Sequence, residues 1–197
     1  FTARAFAWRQ THMTAPEHVY TSILLLESVA SDKSGVLVTQ DIDTGNRDVI
    51  SVAVNEGLGG AVDGQAAESL RIPLDGSPVR VLATATAPWR RVPDPAGGLE
   101  FLPASGSDFV LQPGEITQLI DFAVHLPQKF PPITDDEGNP APADVEFGFL
   151  DGELRLFQLR PFLDSKAAAG TGYLQQMEAR AADTSGVRVD MNGVPQS

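Results

Sequence analysis

Short apolar blocks separated by turn residues dominate this 197-residue chain. Residues 1–13, FTARAFAWRQTHM, contain neither Gly nor Pro and predict a short helix or the tail of one, broken by TAPEH. Three apolar blocks follow: VYTSILLLESVA, residues 36–42 and residues 49–54, separated by the turns SDKSG and DTGNRD. They predict a three-strand antiparallel meander over the first 55 residues, with the first block as a buried strand. LRIPL and PVRVLATA read as further strands after the glycine-rich stretch NEGLGGAVDGQ, and PDPAGG reads as a loop. From Pro113 the period changes. Ile116, Leu119, Ile120, Ala123 and Val124 fall at i, i+3, i+4, i+7 and i+8, a helical stripe that Pro127 is expected to stop. PPITDDEGNPAPA is a loop, ADVEFGFLDGELRLFQLRPF a β-hairpin, and LDSKAAAGTGYLQQMEARAAD a helix interrupted near Gly170 and Gly172, before a linker-like end. Strands, then a helix, then a hairpin predict an α+β fold with a mostly antiparallel sheet and packed helices.

The hairpin carries the candidate chemistry. Val145, Phe147, Phe149, Phe157 and Leu159 are odd-numbered; Asp144, Glu146, Leu154, Leu156, Gln158 and Arg160 are even-numbered. Strand side chains alternate faces, and cross-strand partners share one. A two-residue Asp151-Gly152 turn would pair Glu146 with Phe157 and scatter the aromatics, each misplaced Phe forfeiting roughly 2 kcal/mol of burial. A three-residue loop over 150–152 is therefore expected, with Gly152 at positive φ. That parity gathers Asp144, Glu146, Gln158 and Arg160 on the face opposite the aromatics. Glu146 and Gln158 become direct or diagonal neighbours, ~5–8 Å apart at Cβ. Two such oxygen donors can hold a hard cation such as Mg²⁺, and Arg160 can grip a phosphate through two N–H groups. The alternative is a solvated sheet face with an Asp/Arg ion pair.

Charge narrows the partners. With 26 acidic and 14 basic residues the net charge is −12, which disfavours nucleic acid and anionic membranes but leaves a phosphate ligand open where arginines or a metal reverse the local field. The absence of cysteine removes disulfides, thiolate chemistry and Cys-type zinc sites, and fits a reducing, cytoplasmic setting. The longest apolar run, SILLL, is far too short to span a membrane.

Three segments in order resemble the ATP-grasp nucleotide-binding domain of the phosphoenolpyruvate synthase and pyruvate phosphate dikinase family, in its C-terminal half. They are RAFAWRQ, SDKSGVLVTQDIDTGNRDVISVAVNEGLGGAVDGQ, and DVEFGFLDGELRLFQLRPF, in which Asp144, Glu146, Gln158, Arg160 and Pro161 match the family's closing hairpin. The resemblance implies that residues 1–163 form a partial ATP-grasp domain and that 164–197 are a helix and linker toward a following domain. It implies ATP and Mg²⁺ as cofactors, Glu146 and Gln158 as metal ligands, Arg160 as the catalytic phosphate contact, and Glu27, Val29, Gln40 and Asp144 as nucleotide contacts. It further implies a nucleotide lobe preceding Phe1 and a phosphohistidine domain elsewhere in a longer parent chain. The activity implied is phosphoryl transfer from Mg-ATP to a histidine on that other domain, with this segment alone expected to be inactive.

Departures from the family pattern favour a second reading, a degenerate binding or regulatory module. Gln40 replaces an arginine, Gly60 replaces a glutamate, and Leu26 and Ser28 stand at the adenine-side positions. A third reading is an unrelated acidic β-rich interaction domain. His12, His18 and His125 are isolated and expected to be structural. NEGLGG is either a turn or a backbone phosphate cradle. DEGNP lacks the full calcium-loop spacing and is expected to be a solvated acidic loop. Trp8, Trp89, Arg90 and Arg91 are expected to pack.

Overall fold

A computed structural model describes residues 2–15, 18, 23, 25 and 28–163. The expected helix and linker over 164–197 lie outside the described residues, as does most of the VYTSILLLESVA block, including Glu27. In chain order the elements are α1 (Ala3–His12), β1 (Lys33–Val38), β2 (Val49–Glu56), β3 (Glu68–Pro73), β4 (Arg80–Ala83), β5 (Trp89–Pro93), β6 (Leu99–Pro103), α2 (Pro113–Lys129), β7 (Ala143–Leu150) and β8 (Glu153–Pro161). Six strands form one sheet in the order β4-β3-β2-β1-β7-β8, and β5 and β6 form a separate pair. All these pairings are antiparallel, so the expected α+β architecture holds. Among the described residues no helix is long and apolar enough to cross a membrane.

The meander is not the expected one. β1 has β2 on one edge and β7 on the other, so no strand from the preceding block can flank it. The consecutive antiparallel run is β1 to β4 instead. A strand has only two hydrogen-bonding edges, and the distant hairpin takes the one the local pattern assigned to its neighbour.

Register sorts the sheet into two faces. Leu37 stands between Val52 and Val145, and Val52 pairs with Leu70, so these residues share one side with Val54, Ile72, Phe147 and Phe149. All are buried. The Phe147 and Phe149 rings meet edge to face, centroids 5.8 Å apart. α2 covers this side with Leu119, Phe122 and Leu126. Its fully buried line runs through Glu115, Leu119, Phe122 and Leu126; of the expected stripe, Leu119 is buried and Ile116, Ile120 and Ala123 pack against the core, while Val124 is 44% exposed and Phe122 faces in instead. The helix also continues past Pro127 to Lys129, because a proline in the last turn removes only one hydrogen bond.

Polar side chains lock the helix to the sheet. Lys33 Nζ on β1 donates to both Glu115 oxygens, at 2.8 and 2.7 Å, and Glu115 Oε2 also accepts the Gln112 N–H at 2.7 Å. Glu68 on β3 is 1% exposed and accepts the N–H groups of Val110 (2.8 Å) and Leu111 (3.1 Å) at the entry to α2. Gln118 donates to the Gly152 carbonyl at 2.7 Å and accepts from the Leu154 N–H at 3.1 Å, tying α2 to the hairpin turn.

The hairpin turn has two residues, not three. Asp151 (φ 54°) and Gly152 (φ 75°) connect Leu150 to Glu153. Such a left-handed pair matches the twist of the flanking strands. Parity is repaired further along by a bulge. Phe147 pairs with Leu156 but Glu146 pairs with Gln158, which leaves Phe157 without a partner. Bulges are common on edge strands, and β8 is an edge. Phe157 therefore leaves the aromatic set. It is 42% exposed, and its ring lies so close over Gly148 that a Cβ there would come within 2.8 Å of Cζ. Leu154 joins the core periphery instead, and Leu156 shares the face of Phe147.

Candidate functional site

The sheet face away from α2 holds the hairpin's polar residues. Asp144 and Glu146 on β7 stand opposite Arg160 and Gln158 on β8, in successive same-face rungs. On the other side of β7 their partners are Val38 and Val36 of β1. The bulge at Phe157 sets this arrangement: a two-residue turn with no bulge would have put Gln158 on the opposite face from Glu146.

Arg160 Nε donates to Asp144 Oδ2 at 2.8 Å. The carboxylate is the anchored partner, with 16% of its side chain exposed against 55% for the arginine. The Asp144 hydrogen bond, then its charge, raise the Arg160 pKa above the ordinary arginine value, and the Glu146 charge adds to this. Glu146 is half-buried, and neither it nor Gln158 has a side-chain hydrogen bond or ion pair among the described residues. Both remain able to offer oxygen donors. No group of three or more His, Asp or Glu side chains is arranged to hold a metal ion among the described residues. A cation on this face would need further oxygens from a ligand or from water.

Asp144, Glu146, Gln158 and Arg160 thus come together, while the other expected contacts belong to segments that flank β1. Glu27 lies outside the described residues. Val29 is half-buried and sits toward the turn end of the hairpin. Close after it, Asp32 donates its N–H to Phe149 O and accepts the Asp151 N–H on its side chain, both at 2.8 Å. Gln40 is at the other end, 6% exposed. It lines a cavity of about 620 Å³ with Arg47, Asp135, Asp136, Glu137 and Phe162.

One anchoring residue was not singled out from the sequence. Arg71 on β3 donates from Nε to Asp41 Oδ1 (3.0 Å) and from Nη2 to Asp43 Oδ2 (2.7 Å), holding the DTGN turn against the same face. The two partners lie about thirty residues away in sequence, so no local spacing could have signalled it. The Asp43 N–H lowers the Asp41 carboxyl below 3.8, with burial opposing and Thr44 and Arg71 assisting. A carboxyl with a lowered folded pKa adds stability that is fully present above its unfolded value and is lost as pH falls through the lowered one. The stability gap between the wild type and Asp41→Asn should therefore be constant at neutral pH and close below pH 3.8. Urea unfolding of both proteins across that range measures it, and a gap that widens on acidification would reverse the assignment.

The glycine-rich turn is structural. The N–H groups of Gly57, Leu58 and Gly59 go to Asp32 O (2.7 Å), Arg91 O (2.9 Å) and Ser34 Oγ (2.7 Å), so three of the donors a phosphate cradle would need are already used within the fold. Gly57 has φ 74°, and any Cβ there would collide with the Arg91 carbonyl. The acidic loop is self-satisfied in part: Asp135 Oδ1 accepts the N–H groups of Glu137 (3.0 Å) and Asn139 (2.8 Å). His125 is an exposed helix residue with Nδ1 2.8 Å from Asp121 O. Packing fails for the tryptophans: Trp8 is 55% and Trp89 51% exposed, while Arg91 pairs with Asp63.

A family model described as pyruvate phosphate dikinase, AMP/ATP-binding domain matches residues 1–180. No curated protein matches the chain.

Proposed function

Because the chain belongs to the pyruvate phosphate dikinase AMP/ATP-binding family, we propose that its nucleotide is Mg-ATP and that the polar face of the β7–β8 hairpin receives the phosphates. The observation that carries this reading is the direct pairing of Glu146 with Gln158, one rung from Arg160. The donor set suits Mg²⁺, which takes one or two protein oxygens and completes its shell with waters and substrate phosphates. Glu146 and Gln158 would hold it, and it would supply neutralisation of phosphate charge. Arg160 would bind a phosphate through its Nη groups and stabilise charge as the phosphoryl group departs. Val29, Glu27 and Gln40 would border the nucleotide. The phosphoryl group would pass to a histidine on another domain of the parent protein, in the cytoplasm, with a further nucleotide lobe completing the site.

A second reading, binding without phosphoryl transfer, is favoured by Gly60. A Cβ at that position would lie 2.5 Å from Gln65 Oε1 and 2.8 Å from Asn55 Cβ, so the glutamate expected there from the family pattern has no room.

Replacing both Glu146→Ala and Gln158→Ala in the full-length protein should weaken ATP binding in Mg²⁺ by ~100-fold and leave binding in EDTA unchanged. Calorimetry of wild type and double variant, with and without Mg²⁺, measures this. Equal affinity and equal Mg²⁺ dependence would defeat the proposal. Tight Mg-ATP binding without any acid-labile phosphohistidine would favour the second reading.

A further inference from the structure

We propose that Asp144 is a positioning residue: it holds the Arg160 guanidinium by Nε and leaves the Nη1/Nη2 edge free for a phosphate. The inference rests on the phosphate role proposed for Arg160. It departs from the expectation that Asp144 itself contacts the nucleotide.

Asp144 and Arg160 are direct cross-strand partners, so the sheet sets their separation. The contact is one-sided. Nε meets Oδ2 at 2.8 Å, and the Nη groups have no hydrogen bond among the described residues. A guanidinium binds a phosphate best through two parallel N–H groups, and with Nε taken, the Nη1/Nη2 end is the pair that remains. The partners also differ in exposure: the carboxylate is mostly covered and the guanidinium mostly exposed. A covered acid therefore holds an exposed base in one orientation, which lowers the ordering cost when a phosphate arrives. Asp144 is poorly suited to be a metal ligand, since a cation already occupies one of its oxygens. Glu146, with no such partner, is the better donor.

A double-mutant cycle in the full-length protein tests this, using ATP, adenosine and Mg²⁺ as probes. Asp144→Ala should weaken ATP binding about tenfold, the scale of one charged hydrogen bond, and leave adenosine affinity and the Mg²⁺ midpoint unchanged. In an Arg160→Ala background the same substitution should have no further effect. Asp144→Asn keeps an acceptor for Nε–H and should restore part of the loss. The Arg160 Nε–H resonance should be downfield and slow to exchange in the wild type, and lose both features in Asp144→Ala. An equal loss of ATP affinity in the Arg160→Ala background, or a shifted Mg²⁺ midpoint, would overturn the inference and make Asp144 a direct ligand. Absence of ATP binding by the wild type would instead sink the proposed function, and this inference with it.

Discussion

Glu68→Ala should destabilise the protein by about 2–6 kcal/mol, from two buried N–H groups left unsatisfied at about 1–3 kcal/mol each. The carboxylate is 1% exposed, on a strand that reads ESLRIP, and both its partners open the segment into α2. Losing it removes the acceptors that hold the Val110 and Leu111 backbone over the core. Glu68→Gln retains one carbonyl oxygen and can satisfy one of the two donors, so it should lose about half as much. The measurement is the urea midpoint at constant slope. A change in the alanine variant within about 0.5 kcal/mol, the range of an ordinary surface substitution, would show that the contact is not stabilising.

Phe147→Ala and Phe157→Ala should differ sharply. Phe147 is 1% exposed and packs edge to face with Phe149 under α2, so its truncation should cost about 3–5 kcal/mol. Phe157 is 42% exposed at the bulge and should cost about 1 kcal/mol or less. A three-residue loop without a bulge would have placed both rings in the core and made the two costs alike. Parallel urea titrations therefore test the hairpin register as well as the packing. Equal losses would restore the loop-based register and, with it, a different account of why Glu146 meets Gln158.

The hairpin shows how a correct placement can follow from a partly wrong route. Alternation along DVEFGF and LRLFQLR brought Glu146 and Gln158 to one face, as the register has it. The loop proposed to achieve this is absent. The correction comes from Phe157, whose apolar character argued for the core and whose real position is over Gly148. Nothing in a pattern of apolar and polar residues marks where an edge strand inserts one unpaired residue. The expected pairing of the preceding block with residues 36–42 is excluded for a related reason. That block's apolar character pointed to burial beside them, but β7 already occupies that edge, with Thr39 N–H donating to Ala143 O at 2.9 Å across about a hundred residues of chain. The helical stripe was legible in period and nearly in phase, with only Val124 of its five residues turned to solvent. Leu119 and its neighbours set the period, while the Lys33–Glu115 and Glu68 contacts, made to distant strands, set which side faced the sheet.

By itself the sequence determined the strand-helix-hairpin order, the α+β class and the set of polar residues that share the hairpin's outer face. Each depends on a side-chain period of two or 3.6 that acts over a few neighbouring residues. Tertiary structure alone decided which strands border β1, where the bulge falls, and that Asp144 and Glu68 spend their carboxylates on partners across the fold. Those outcomes depend on competition for strand edges and for buried hydrogen-bond donors, and both are settled between segments far apart in the chain.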